Sequence, residues 1–180
     1  MLGTIETRKN HKLILELWRE LQADLGASAP RLLVIGEYGW KGEDVIALLE
    51  RSTPHGIVKV YGRLSDAAIA GLLKGARSLL LPSFAEDYGL PLAEALTLGT
   101  PVLCSDIPAF REVGGDIPDY LDPADPLAWR GDVLDDAEAR SAQREAQLRR
   151  LSFWSRPTCD RHFAVVANAL RDLRKEKGGP

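Results

Sequence analysis

The sequence predicts an α/β protein with an open parallel sheet that is covered by helices on both faces, a Rossmann-like architecture. The first observation behind this prediction is that short apolar runs of strand length alternate along the chain with segments of helical periodicity. The second is length, because 180 residues suffice for a single domain whose core needs no disulfide or metal. We expect that domain to span residues 1–175, followed by a flexible tail at 176–180.

The apolar runs and the periodic segments follow one another in a regular order. The predicted strands are Met1–Ile5, Arg31–Ile35, Ile57–Tyr61, Ser78–Leu81, Pro101–Ser105 and Tyr120–Leu121. The predicted helices are Asn10–Leu25, Asp44–Arg51, Ser65–Lys74, Pro91–Leu98, Ala109–Val113, Asp125–Leu134, Asp136–Leu151 and Pro157–Lys175.

Residues typical of helix ends mark several of these boundaries. Leu13, Leu17 and Leu21 recur on one face of the first helix, which Asn10 is expected to cap and Gly26 to end. In such sheets, ligands bind beyond the carboxyl ends of the strands. The loops that follow the strands are therefore candidate ligand-binding loops; they are Thr4–Lys9, Gly36–Trp40, Tyr61–Leu64 and Pro82–Leu90.

Composition argues against several classes of protein. A formal net charge of −3 does not favour a nucleic-acid partner. The amino terminus shows no secretory signal, no apolar run could span a bilayer, and cysteines are few, so a cytoplasmic location is expected. Cys104 ends an apolar run and is expected in the core. The three histidines, His11, His55 and His162, are scattered and predict no metal site.

The stretch "SFAEDYGLPLAE" after the fourth predicted strand carries an acid at each end of a turn. Gly89 permits a positive φ angle or a close approach to a ligand, and Pro91 suits the first turn of a helix. The free amides at such a helix start favour an anion such as phosphate. Carboxylates accept hydrogen bonds from hydroxyl groups, so Glu86 and Glu94 are suited to bind hydroxyl groups on either side of such a phosphate. Spacing alone leaves another interpretation open, in which Glu94 only stabilises its helix and Glu86 is solvated.

The sequence "EDYGLPLAEA", followed by "GTPVLCSDIPAFREVGGD", resembles the retaining glycosyltransferases of the GT-B fold, family 4 (group 1). The similarity runs from "GTIETRKNH" to "DYLDPADP", over about two thirds of the chain. It implies the C-terminal, donor-binding half of an enzyme that transfers a sugar from a nucleotide-diphosphate sugar, in bacterial polysaccharide or glycoconjugate synthesis.

The resemblance also implies roles for the residues of the turn. Glu94 matches the glutamate that binds the donor ribose, and Glu86 matches the acid that faces the transferred sugar. The amides near Tyr88, Gly89 and Leu90 match the loop at the sugar and the diphosphate. One departure is Asp87, at a position that is often glycine.

Two further loops match the family. Lys9 matches the family's lysine at the diphosphate, and Arg8 is expected to replace the arginine that usually follows the first glycine, where this chain has Thr4. Such a cation pair stabilises the charge of the leaving nucleotide, so no metal or other cofactor is expected. The alternative interpretation is that Arg8 and Lys9 are only solvated basic residues at the start of a helix. Gly36 and the loop Tyr61, Gly62 and Arg63 match backbone and base contacts of the donor, although a plain turn would explain that loop equally well.

The family's enzymes also have an acceptor-binding domain, which we do not expect within this sequence. We therefore expect that domain to act in cis or in trans, with peripheral membrane contact through it. The chain alone is expected to be inactive. Two alternatives remain open at this point: a nucleotide-sugar epimerase, and a non-catalytic regulatory or assembly module with the same fold.

Overall fold

The computed structural model describes residues 1–39, 43–52 and 56–177. The strands are β1 (Leu32–Ile35), β2 (Val58–Tyr61), β3 (Leu79–Leu81), β4 (Val102–Ser105) and β5 (Asp119–Leu121). The α-helices are α1 (His11–Leu25), α2 (Glu43–Ser52), α3 (Asp66–Gly75), α4 (Leu90–Thr97), α5 (Pro108–Gly114), α6 (Pro126–Ala137), α7 (Ala142–Leu151) and α8 (Cys159–Lys177). Two 3₁₀ turns, Thr7–Lys9 and Gly26–Ser28, flank α1.

All the strand pairs are parallel, as predicted, but they form two hydrogen-bonded groups. β1 pairs with β2, and β4 lies between β3 and β5. The predicted first strand, Met1–Ile5, is not a regular strand, because it makes only isolated parallel bridges, from Leu2 to Ile35 and from Ile5 to Tyr38. A φ angle of +134° at Gly3, between the two bridges, takes the backbone out of strand conformation there.

Helices cover both faces of these strands. One apolar cluster packs α1, α2 and α6 against β1 and β2 and includes Leu80 of β3. The other packs α3, α4 and α5 against β3 and β4 and includes Leu79 and Leu81. Because successive residues of β3 belong to different clusters, the strand is buried on both sides, as expected of a parallel sheet under two helical layers. Cys104 is fully buried, as predicted.

Several predicted boundaries are confirmed and others are wrong. Ser65 caps α3 by accepting a hydrogen bond from the Ala68 amide, and Gly26 ends α1 at a φ angle of +56°. The Asn10 side chain does not cap α1. The residue lies in the left-handed region, and its side-chain Nδ2 donates a hydrogen bond to the Pro123 carbonyl. The helix predicted from Asp136 is also wrong, since α6 continues through Asp136 and α7 begins only at Ala142.

Helix α8 continues to Lys177, into the predicted tail. In the part of the chain that the structure describes, no helix is both long and apolar enough to cross a membrane.

Candidate functional site

The candidate site lies where two loops meet beyond the carboxyl ends of β3 and of the Met1–Ile5 segment. One loop carries Arg8 and Lys9 into α1, and the other connects β3 to α4. The Phe84 amide donates a hydrogen bond of 2.8 Å to the Arg8 carbonyl, which ties the loops together. Residues that are 77 positions apart in the sequence therefore become neighbours.

Glu86 is the centre of this junction. Lys9 Nζ donates to Glu86 Oε1 at 2.5 Å and to Oε2 at 2.6 Å, and Arg8 Nη1 reaches Oε2 at 3.1 Å. Arg8 also donates to the Ala85 carbonyl at 3.2 Å. The exposed fraction is 6% for the Glu86 side chain, 11% for Lys9 and 43% for Arg8.

These contacts decide one open question. Glu86 and Lys9 are not solvated residues, because a charge pair with so little exposure is held by specific hydrogen bonds. The three predicted residues Glu86, Lys9 and Arg8 thus form one cluster. Both cations hold the Glu86 carboxylate, and Arg8 Nε also pairs with Glu6 at 2.7 Å. The exposed part of the Arg8 side chain faces solvent, where an anion can reach it.

Sequence reasoning missed Ser83 in this cluster. Ser83 is buried, and its hydroxyl donates to Glu86 Oε1 at 2.7 Å. A hydrogen bond of this kind fixes the orientation of the carboxylate. The sequence feature that could have identified Ser83 is its position just after a strand and three residues before Glu86.

The start of α4 forms the second part of the site. Gly89 adopts a φ angle of +86°, and a Cβ there would lie 3.0 Å from the Phe110 ring. The first helical hydrogen bonds run from Leu92 and Ala93 to the Gly89 carbonyl, so the amides of Gly89 and Leu90 precede them. The side chains of Tyr88 and Leu90 are exposed.

Glu94 is exposed on α4, and its carboxylate has no ion pair or hydrogen bond in the described part of the chain. The structure therefore does not bring it into contact with Glu86. Asp87, the departure from the family pattern, is exposed as well.

The predicted base loops lie beside the segment that carries the cations. A Cβ on Gly36 would fall 1.9 Å from the Gly3 carbonyl oxygen, and the Gly36 amide donates to the Tyr61 carbonyl at 2.9 Å. A Cβ on Gly3, in turn, would lie 3.8 Å from Lys9 Nζ. Gly36 is thus required for close backbone packing, whatever else it contacts.

Tyr61, Gly62 and Arg63 are exposed at the end of β2. Trp40, in the loop after β1, lies outside the described residues.

Two further sets of titratable side chains lie outside the cluster. His11, the first residue of α1, is buried, and burial lowers its pKa to about 4. Beyond β4, Arg111 donates to Asp106 at 2.7 and 2.9 Å and lies over the Tyr120 ring, and its hydrogen bonds lower the pKa of the Asp106 carboxyl. Over the described ranges, no group of three or more metal-ligating side chains occurs.

Comparison with known proteins assigns the family. The model of "Glycosyl transferases group 1" matches residues 1–116. The chain belongs to the group 1 glycosyl transferases. It is 33% identical over 151 residues to O-antigen chain mannosyltransferase B of Escherichia coli, covering 84% of this chain and 39% of that protein. A serotype-specific mannosyltransferase, WbdA of E. coli, is 35% identical over 119 residues, which is 63% of this chain and 14% of WbdA.

Solved structures place the group 1 domain in the GT-B fold. TarM superposes with a TM-score of 0.69 at 15% identity, over 94% of this chain and 34% of TarM. HepE of Anabaena, in complex with UDP, gives a TM-score of 0.68 at 17% identity, over 94% of this chain and 48% of HepE. These likenesses show the fold alone. The chain spans less than half the length of each of these proteins.

Proposed function

We propose that this group 1 domain binds the nucleotide-diphosphate sugar donor of a glycosyltransferase that acts in bacterial glycan synthesis. The observation that carries the proposal is the convergence of Lys9, Arg8 and Glu86 beside the Gly89 turn that opens α4. The names of the relatives support it, because they describe mannosyl transfer to O-antigen chains, and the complex of HepE contains UDP.

In this proposal the cations bind the diphosphate. The Arg8 side chain is partly exposed, with its guanidinium held by Glu6 and Glu86, and Lys9 lies next to it, so the developing charge of the leaving nucleotide would meet fixed cations. The amides of Gly89 and Leu90 at the helix start would add hydrogen-bond donors. The charge is thus supplied by the protein itself, and we propose that no metal is needed.

The acids take the hydroxyl groups on either side. Glu94 is exposed and unpaired among the described residues, so its carboxylate is free to accept hydrogen bonds from the ribose. Glu86 would face the transferred sugar, and Ser83 would hold its carboxylate in position. Tyr88 would lie at the sugar, and Gly36 with Tyr61, Gly62 and Arg63 would contact the base.

Transfer itself requires more than this chain's residues. We propose that an acceptor-binding domain, in cis or in trans, completes the cleft, that transfer retains the anomeric configuration, and that the complete protein works in the cytoplasm at the inner face of the membrane. An epimerase is not favoured, since the family and its relatives are transferases. A domain that kept the fold but lost the site would bind no nucleotide sugar.

Calorimetry with a panel of nucleoside diphosphates and their sugars tests the proposal, with a mannosyl donor included because of the relatives' names. We expect binding by the native chain, a loss of at least about tenfold in affinity for Lys9→Ala, and a similar loss for Glu94→Ala. Lys12→Ala is the matched control, because Lys12 is an exposed lysine of α1 that pairs only loosely with Glu16 at 3.9 Å. Absence of binding to every member of the panel would sink the proposal, as would equal binding by Glu94→Ala.

A further inference from the structure

Glu6 is an acid of the candidate site that has no role in the proposed binding of the donor. It precedes the 3₁₀ turn Thr7–Lys9 and lies two residues before Arg8. Glu6 Oε1 pairs with Arg8 Nε at 2.7 Å, and the Glu6 side chain is 25% exposed. Oε1 itself is shielded from solvent and accepts no hydrogen bond from a further residue in the described part of the chain. Arg8 is therefore the group that compensates the charge of this oxygen.

Two acids engage the Arg8 guanidinium from different sides. Glu6 pairs with Nε, and Glu86 accepts a hydrogen bond from Nη1 at 3.1 Å. A guanidinium binds phosphate best through two parallel hydrogen bonds, either from Nε and Nη2 or from Nη1 and Nη2. Each of these two donor pairs already has one member engaged by a carboxylate. A phosphate group that binds Arg8 in this way must therefore displace one of the two acids.

The formal charges of this group of side chains also cancel. Arg8 and Lys9 are the two cations, and each of them pairs with an acid, Glu6 or Glu86. An approaching anion therefore meets no net positive charge, although two cations are present. The affinity for an anion then depends on how readily one of the acids leaves its cation.

Burial decides which acid can leave. The Glu86 side chain is almost fully buried, and it also accepts hydrogen bonds from Lys9 and Ser83. Its departure would leave the buried Lys9 charge without compensation, which is strongly unfavourable. The Glu6 side chain is more exposed, and its partner Arg8 is 43% exposed, so water can replace the contact on both sides. An ion pair of this kind contributes little, and Glu6 is the acid that an anion can displace.

We propose that Glu6 is an internal counter-ion of Arg8, which the diphosphate of the donor displaces, and that it thereby lowers the affinity of the site for nucleotides. This inference rests on the proposed function, because it extends the role given there to Arg8. The phosphate oxygens take the place of Glu6 at Nε, and the Glu6 carboxylate turns into solvent. The nucleoside diphosphate that remains after transfer is held less tightly for the same reason, since Glu6 competes with it for Arg8.

Glu6→Gln tests the proposal, because it removes the charge and keeps the size of the side chain. Calorimetry of the full chain with UDP and with GDP measures the affinity. We expect the affinity for the tighter-binding nucleotide to rise about three- to fivefold, which is the contribution of an exposed ion pair. Glu6→Asp retains the charge and should stay closer to the native affinity.

Glu16→Gln is the matched control, since it removes the charge of an exposed acid on α1 that pairs only loosely with Lys12 at 3.9 Å. It should leave the affinity unchanged. A second measurement follows the displacement itself in the native chain. The carbon-13 resonance of the Glu6 carboxylate should shift when the nucleotide is added to saturation, because the carboxylate exchanges Arg8 for water.

The possible outcomes separate this inference from the proposed function. If the native chain binds nucleotide but Glu6→Gln binds equally well, Glu6 does not compete for Arg8. Weaker binding by Glu6→Gln would show instead that Glu6 orients Arg8 for the ligand, and a carboxylate resonance that does not shift at saturation would show that Glu6 stays in place. Each of these results overturns the inference alone. Absence of binding to both nucleotides in all the proteins overturns the proposed function and this inference with it.

Discussion

The contact between Lys9 and Glu86 is the residue-scale feature on which the site depends. Both side chains are almost fully buried, so each charge needs the other. Removing one partner leaves the remaining charge with less compensation in a region of low dielectric, whereas removing both does not. The pair is therefore expected to show strong energetic coupling.

We predict that Lys9→Met and Glu86→Gln each lower the free energy of unfolding by about 2–4 kcal/mol, and that the double variant loses clearly less than the sum. Urea denaturation of the four proteins gives the coupling energy. The control cycle uses Lys12→Met and Glu16→Gln, an exposed pair on α1 at 3.9 Å, which should give values within about 0.5 kcal/mol of zero. Additive losses in the Lys9 cycle would contradict the prediction.

His11 makes the stability of the fold depend on pH. Its pKa falls from 6.5 to about 4, mainly because burial disfavours the charged form, so the unfolded chain binds the proton more tightly. The contribution of neutral His11 is complete above pH 6.5 and is lost as the pH falls from 6.5 towards 4. The difference between the two pKa values corresponds to about 3 kcal/mol.

We therefore predict that His11→Gln removes part of the acid sensitivity. Urea denaturation between pH 7 and pH 4 should show a smaller decline in the variant than in the native chain, by up to about 3 kcal/mol. Asp136, whose pKa is raised to about 6 by burial, acts in the opposite direction and is present in both proteins. Parallel pH profiles would show that His11 is not the group responsible.

At the scale of elements, α4 depends on the backbone of the residue before it. Gly89 turns the chain from β3 into the helix with a φ angle of +86°, and a Cβ there would lie only 3.0 Å from the Phe110 ring of α5. Any other residue there would be strained and would also press against the ring. The turn that presents the amides of α4 is therefore specific to glycine.

We predict that Gly89→Ala lowers the free energy of unfolding by about 1–3 kcal/mol. Gly71, inside α3, is the control: a Cβ there meets nothing within 4 Å, so Gly71→Ala should stabilise the helix by up to about 1 kcal/mol. Thermal unfolding of both variants distinguishes the effects by their opposite signs. A stabilised Gly89→Ala would show that this turn is not constrained.

The sequence predicted elements whose signals are local. The cap at Ser65 and the stop at Gly26 were correct because they depend on side chains and backbone within one turn. Asn10 was wrongly assigned as a cap because its partner, the Pro123 carbonyl, lies 113 residues away. The start of α7 was missed because the polar, helix-favouring stretch after Asp136 gives no local sign of the break before Ser141.

At the scale of the whole molecule, spacing in the sequence indicated which loops share an edge but not which side chains touch. Lys9 and Glu86 were predicted at the same edge, yet their direct pairing depends on the approach of two loops distant in sequence. Ser83 was missed for the same reason, since its burial arises from tertiary packing. The split of the strands into two hydrogen-bonded groups was not predicted, because no local pattern reveals which strands pair.

Ligand binding is expected to stabilise the entire fold. A donor that binds only the folded chain stabilises it, by about 2.7 kcal/mol when its concentration is one hundred times its Kd. In the proposed site Lys9 and Arg8 supply the positive charge, so we predict that nucleoside diphosphates raise the melting temperature equally in EDTA and in magnesium. The effect should weaken as salt increases, since the exposed Arg8 is screened. Thermal unfolding with the tightest ligand of the panel, in both buffers and with Lys9→Ala for comparison, checks this. Stabilisation that appears only with magnesium would show that a metal carries the charge instead of the two side chains.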